Sequence, residues 1–225
     1  MFSNSHNMSW FSGRKMSWAN LHSLAFGFGS AVDSREYHTR FHSYRVSEIA
    51  TAMTRVLGVE KEERDEIHLG AHLHDIGKVH IADEVLQKKG PFTENDCWEM
   101  QQHPEAGYRI VKRSGMPRVV LNIVRHHHER YDGMGYPDGL EGKSIPREAR
   151  ILAIADTLDA MASGRAHCDA VPLDLAFTEI EMCSGTQLDP HMIEVILAVN
   201  RGFLERLFKR GQDSHVLADE AVFYA

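Results

Sequence analysis

Ala149 to Met161 reads ARILAIADTLDAM, apolar nearly all the way round a helical wheel. A helix without a polar face is stable only when neighbours cover it on every side, so this segment demands a bundle with a buried central helix. It also holds Asp156. A carboxylate there has to be compensated by a cation, a metal or several hydrogen-bond donors, because an unpaired buried charge is strongly unfavourable.

The segments around it supply the covering helices. From Tyr44, the residues Val46, Ile49, Ala50, Met53, Val56 and Leu57 recur at three- and four-residue steps up to Gly58, a C-cap signal. A second helix is predicted over 62–75, with Ile67, Gly70, Ala71 and His74 on one stripe and a stop at Gly77. His103-Pro104, Pro117, Pro146, Pro172 and Asp189-Pro190 each place proline where a helix starts, the one at Pro146 running to Ala162. There is no alternating pattern long enough for a strand and no internal repeat. The expected fold class is all-α, a helical bundle. Asp132 to Gly139 and Glu141 to Pro146 form one long turn-rich loop, of a length that inside a helical domain usually serves function.

Residues 1–34, rich in Ser, Asn and Gly with scattered aromatics, read as a partly ordered arm or partner-docking segment; 35–208 form the domain, and 209–225 a tail. The stretch from Trp18 to Phe28, broken by Asn20, His22 and Gly27, is too short and polar for a transmembrane helix and lacks a signal-peptide cleavage site. Cys97, Cys168 and Cys183 are odd in number and far apart, which fits a reducing, cytoplasmic setting and no disulfide framework. The net charge of −7 argues against binding duplex nucleic acid or an anionic membrane through protein cations.

Ten of the fifteen histidines lie between His38 and His128. Imidazole and carboxylate together suit borderline divalent metals. His38 and His42 share a face on a helix, while His74 and Asp75, neighbours about 100° apart, can ligate different metals or bridge them. His103, the triple His126-His127-His128 and Asp156 complete the candidates. On a wheel centred on the apolar face of 119–124, His127 falls about 15° from the centre, His128 about 85° and His126 about 115°, so His127 and His128 are the better inward pair. Each residue taken singly has an ordinary reading. Histidines such as His22, His68, His72, His80, His167, His191 and His215 read as surface or satisfied core residues, Asp156 as an acceptor of backbone donors, Lys78 as a solvated lysine.

The joint pattern is more specific. His74-Asp75-Ile76-Gly77-Lys78, His103-Pro104-Glu105-x-Gly107, His127-His128-Glu129-Arg130-x-Asp132-Gly133-x-Gly135-Tyr136-Pro137 and Ala155-Asp156-x-x-Asp159-Ala160 follow one another in order, with Gly139-Leu140, Ile145-Pro146 and Gly185-Thr186-Gln187-x-Asp189-Pro190 between and after them. Over about 33–200 the chain resembles the HD-GYP family. The resemblance implies an HD-domain helical bundle with a long Gly-Tyr-Pro loop, and a metal-dependent phosphodiesterase that hydrolyses the bacterial second messenger cyclic di-GMP to linear pGpG, with GMP as an open further product. It implies two divalent transition-metal ions, iron or manganese first, nickel or zinc as alternatives. Carried over by position, the ligands are His42, His74, Asp75, His103, His127, His128 and Asp156, with Asp75 bridging. A water between two such cations is deprotonated near neutral pH. Lys78 would act beside Asp75, stabilising the phosphate or protonating the leaving 3′ oxygen; Tyr136 would shape the pocket and Arg165 pair with the second phosphate.

Two positions depart from the family pattern. His38 stands where three-metal members carry Glu, so two metals are expected. His167 and Cys168 stand where an aromatic and a basic residue usually follow Arg165, which bears on affinity for the second phosphate. No receiver or sensory domain is legible, so regulation is expected through the N-terminal arm, a signalling partner, a homodimer, or metal and redox state. Two other readings remain: an HD phosphohydrolase acting on another cyclic dinucleotide or nucleotide, and a weakly active or inactive interaction module that responds to cyclic di-GMP.

Overall fold

The computed structural model describes residues 8–11, 14–36, 40–163 and 170–210. Two short strands, β1 (Met8–Phe11) and β2 (Arg14–Met16), pair antiparallel ahead of the helices. The helices are α1 (Trp18–Asp33), α2 (His42–Val56), α3 (Lys61–Leu73), α4 (Asp83–Leu86), α5 (Glu94–Met100), α6 (His103–Arg113), α7 (Arg118–His126), α8 (Arg147–Ser163), α9 (Leu173–Met182), α10 (Pro190–Leu197) and α11 (Arg201–Arg210), with a 3-10 turn over Ile76–His80. Among the described residues no helix is long and apolar enough to cross a membrane.

The unpatterned helix is the axis of the bundle. Ile151, Leu152, Ile154, Ala155 and Leu158 of α8 are fully buried and pack with Val46, Ile49, Ala50 and Met53 of α2, Ile67 and Ala71 of α3, and residues of α9 and α10. A second core lies on the opposite side of α3, where Leu69 and Leu73 meet Leu21, Ala25 and Val32 of α1 and Val120 and Val124 of α7. α3 is thus clamped between two apolar clusters, which fixes where the residues that follow it, His74 and Asp75, emerge.

The segment read as a partly ordered arm contributes α1, a 16-residue helix whose cap Ser17 accepts a hydrogen bond from the Asn20 N–H. Its buried positions Leu21, Ala25, Gly29 and Val32 follow helical spacing, but Gly and Ser between them disguise the stripe. Gly29 belongs to the packing: a Cβ there would come within 2.5 Å of the His72 carbonyl oxygen.

Gly77 differs from its expected role as a helix stop. α3 ends at Leu73, and Gly77 lies inside the 3-10 turn, where a Cβ would stand 1.9 Å from the His103 carbonyl oxygen and 2.5 Å from the Gly107 nitrogen. Gly107 in turn faces Val124 and the Gly77 nitrogen. The two glycines let the turn after Asp75 touch the first turn of α6, which brings His103 to Asp75.

Gly77→Ala should cost about 3 kcal/mol or more in chemical denaturation, since backbone atoms must move to admit the methyl. Gly27→Ala, with nothing within 4 Å of the new Cβ, should be neutral or gain up to about 1 kcal/mol from helix propensity.

Candidate metal centre

The site is assembled from helix ends. His42 is the first residue of α2, reached through Phe41, whose φ of 61° turns the chain sharply into the helix. A bulky residue in that region costs roughly 1–2 kcal/mol, which the buried contacts of α2 must offset. His74 caps α3 and Asp75 follows it; His103 opens α6; His127 caps α7; Asp156 comes from the middle of α8. His42, His74, Asp75, His103 and His127 are all buried, and His128 and Asp156 are half-buried.

Asp75 joins two groups of ligand-capable atoms. One comprises His42, His74 and Asp75, the other Asp75, His103, His127 and His128, each within 4.8 Å internally. Oδ2 of Asp75 lies 3.3 Å from His74 Nε2 and 3.9 Å from His42 Nε2; Oδ1 lies 3.2 Å from His103 Nε2 and 3.7 Å from His127 Nε2. One carboxylate therefore turns one oxygen to each group. Asp156 Oδ1 is 3.5 Å from His42 Nε2, on the first group's side.

The far side of each ring sets which nitrogen is bare. His74 Nδ1 is 2.7 Å from the Ala71 carbonyl oxygen, His103 Nδ1 2.7 Å from that of Met100, and His127 Nδ1 3.1 Å from that of Val124. Carbonyls only accept, so these three Nδ1 atoms carry hydrogen and a neutral ring presents the Nε2 lone pair inward. His42 Nδ1 meets the Asp159 carboxylate at 2.8 Å, with the same effect.

Nε2 then faces Nε2 at 3.2 Å twice, His42 against His74 and His103 against His127. Lone pair against lone pair is repulsive unless a proton or a cation lies between. Two nitrogens about 2.1 Å from a shared ion sit roughly 3.0–3.4 Å apart at octahedral or tetrahedral angles, so the donor set fits a borderline divalent ion in each half. In the metal-free chain a proton meets the demand in the first half. Burial opposes a charged His74, but Asp75 and Asp156 outweigh it and raise its pKa to about 9. In the second half burial pushes His127 down to about 4 and His128 well below its ordinary value.

Lys78 Nζ lies 2.8 Å from Asp75 Oδ2 and 2.8 Å from Glu36 Oε1. Burial disfavours its charge, yet the two carboxylates push its pKa above that of an ordinary lysine, so it stands at the centre as a fixed cation. Tyr136 sets its ring 4.9 Å from that of His128, tilted by 31°, and donates its backbone N–H to the His128 carbonyl oxygen. Gly135 allows that return: a Cβ there would lie 2.3 Å from the Arg130 nitrogen. His126 turns away from both groups, toward Glu129 and Asp138. Arg165 and His38 lie outside the described residues.

Three contributors went unassigned from sequence. Asp159 orients His42 and is itself held by Arg45, 2.5 Å from Nε to Oδ1 and 3.0 Å from Nη2 to Oδ2; its pKa falls to about 2, because Arg45 and His42 outweigh burial. Its spacing of three from Asp156 on α8 was the available signal. Glu129, directly after the histidine triple, accepts the Asp138 and Leu140 N–H groups and pins the loop. Glu36 had no signal at all, since only the fold places it at Lys78.

The HD domain family matches residues 29–192. A cyclic di-GMP phosphodiesterase response regulator of Xanthomonas campestris pv. campestris is 38% identical over 179 residues, 79% of this chain and 47% of that protein. A 3′3′-cGAMP-specific phosphodiesterase of Vibrio cholerae is 34% identical over 176 residues, 77% of this chain and 34% of that one. The chain thus spans less than half the length of these curated relatives. Among solved structures, a cyclic GMP-AMP-specific phosphodiesterase of V. cholerae superimposes with a TM-score of 0.67 at 20% identity, covering 86% of this chain and 53% of that one. With its paired histidine groups sharing the aspartate of the His74-Asp75 doublet, and with that family matched across most of its length, the chain belongs to the HD domain family.

Proposed function

We propose that this chain hydrolyses cyclic di-GMP to linear pGpG, with His42, His74, Asp75, His103, His127, His128 and Asp156 holding two divalent transition-metal ions. The observation that carries the reading is the Asp75 carboxylate, one oxygen toward each histidine group. When bound, two such ions offset phosphate charge and make a water acidic enough to be a nucleophile near neutral pH. The nitrogen-rich donor set suits iron or manganese, and also nickel or zinc. That overcomes the net charge of −7, which would otherwise repel an anionic substrate.

The chain's own groups supply the rest. Lys78, kept charged by Asp75 and Glu36, can stabilise a phosphate oxygen; its raised pKa favours this over giving up a proton to the leaving 3′ oxygen. Tyr136, fixed against His128, borders the site where a guanine or ribose would lie. Arg165 is assigned to the second phosphate from its sequence position. The unpaired Cys97 and Cys183 support a reducing, cytoplasmic setting. The second reading, hydrolysis of 3′3′-cGAMP, is favoured by the V. cholerae relatives.

Anaerobically purified protein loaded with iron or manganese should turn over cyclic di-GMP, and competition with 3′3′-cGAMP at equal concentration should rank the two by kcat/KM. Absence of turnover with iron, manganese, nickel and zinc overturns the enzyme reading; preference for 3′3′-cGAMP replaces the substrate.

Asp75→Asn should lower activity to background together with bound metal, because the amide cannot present an anionic oxygen to both groups. Asp159→Asn should retain the fold and lose about 10–100-fold in activity or metal affinity, through loss of the group that orients His42. Full activity with full metal content in Asp75→Asn refutes the ligand assignment.

Because His74 holds a proton up to about 9 in the metal-free chain, loading should release it. Apparent metal affinity should rise with pH toward 9, and calorimetry in buffers of different ionisation enthalpy should detect the proton. The folded-state value is raised above the ordinary 6.5, so the stabilisation it gives the metal-free fold is complete below about 6.5 and is lost as pH climbs through about 9. His74→Gln should flatten both dependences.

A further inference from the structure

Outside the centre that shares Asp75, the described residues hold another concentration of imidazole. His22 on α1 and His68 and His72 on α3 each offer a ring nitrogen within 4.8 Å of the others. His68 and His72, four residues apart, share a face of α3, and His22 comes from the helix packed against it. His68 Nε2 is 2.9 Å from His22 Nε2 and 3.2 Å from His72 Nε2. From sequence, all three read as ordinary surface or core histidines.

The local hydrogen bonds leave nitrogens of His68 and His72 unmatched. His68 Nδ1 is engaged by Thr51 Oγ1 at 3.0 Å. The Ser47 hydroxyl donates to the Tyr44 carbonyl at 2.7 Å, so at its 3.3 Å contact with His72 Nε2 it can only accept. One ring nitrogen has one in-plane lone pair, yet two neighbouring nitrogens stand within reach of His68 Nε2. His72 is 1% exposed, and its Nδ1 has no hydrogen-bond partner. Three convergent imidazoles are the donor set of a borderline divalent ion, which takes the His72 Nε2 lone pair once the ring hydrogen sits on Nδ1. Two nitrogens about 2.1 Å from a tetrahedral zinc lie about 3.4 Å apart, a few tenths of an ångström from the spacings here. His22 and His68 are only half-buried, which leaves a route from solvent.

We infer that His22, His68 and His72 form a metal site of the zinc class, separate in its ligands from the Asp75 centre, that ties α1 to α3. The tie has a consequence for that centre. α1 runs into Asp33, whose carboxylate accepts the Ser43 N–H at 2.9 Å and the Ser43 hydroxyl at 2.7 Å, next to His42. Three residues on, Glu36 meets Lys78. An ion at His22 therefore fixes the helix whose end supports two residues of the catalytic neighbourhood.

Zinc content after dialysis against a chelator-buffered zinc solution tests the site. Wild type should retain about one ion per chain more than His22→Gln, and His22→Cys, which restores a ligand, should recover it. In an Asp75→Asn background zinc should still raise Tm, and adding His22→Gln should remove that rise. Equal zinc content in wild type and His22→Gln, or an unchanged Tm rise in the double variant, overturns the site and leaves the three histidines a hydrogen-bonded cluster, whatever metal the Asp75 centre holds.

Discussion

The structure is organised around one buried carboxylate. Asp75 is 5% exposed and keeps a pKa well below the ordinary carboxylate range, because Lys78, His74, His103 and His127 outweigh the cost of its burial. A buried charge of this kind is tolerated only when every side of it is compensated. Its two oxygens face two histidine groups, and α2, α3, α6 and α7 each deliver a terminal residue to them. Helix ends serve because their free carbonyls accept from Nδ1, as those of Ala71, Met100 and Val124 do, leaving Nε2 to the centre.

Close backbone approach makes this convergence geometrically possible. At Gly77 and Gly107 the turn after Asp75 meets α6 with no room for a methyl, and at Gly135 the loop returns onto the backbone that follows the histidine triple. Glu129 then secures the loop through two backbone N–H groups, and Tyr131 and Asp132 donate to Gln187 and Thr186 on the segment before α10. The loop that carries Tyr136 is thereby held at both ends, which gives the ring beside His128 a defined position.

Much of this was legible in the residues. The proline-marked starts of α6, α8, α9 and α10 follow from the fixed φ of proline, and the all-round apolar α8 follows from its lack of a polar face. The inward preference of His127 and His128 over His126 followed from helical phase, and in the structure only His126 stands apart. α1 was hidden because its buried stripe includes a glycine, whose fitness is visible only against the His72 carbonyl. α5 buries no residue and so carries no apolar stripe, although Thr93 and Asp96 form a capping box at its start. α3 ends at Leu73, two residues before the expected Asp75, since Gly77 signals a helix stop in sequence but serves contact in space.

What the sequence by itself determined is the chemistry on offer: a helical bundle, an Asp156 on its central helix, histidines with carboxylates in an order shared with one family, and a glycine-rich loop beside them. These are properties of residue type, spacing and period, which local physics reads directly. Only the tertiary structure decided that Asp75 turns one oxygen to each group, that Asp159 and Arg45 orient His42, that Glu36 reaches Lys78, and that His22 joins His68 and His72. Each of the last three joins residues at least 42 positions apart. Such contacts depend on how two apolar clusters clamp α3 between them, and no local pattern carries that information.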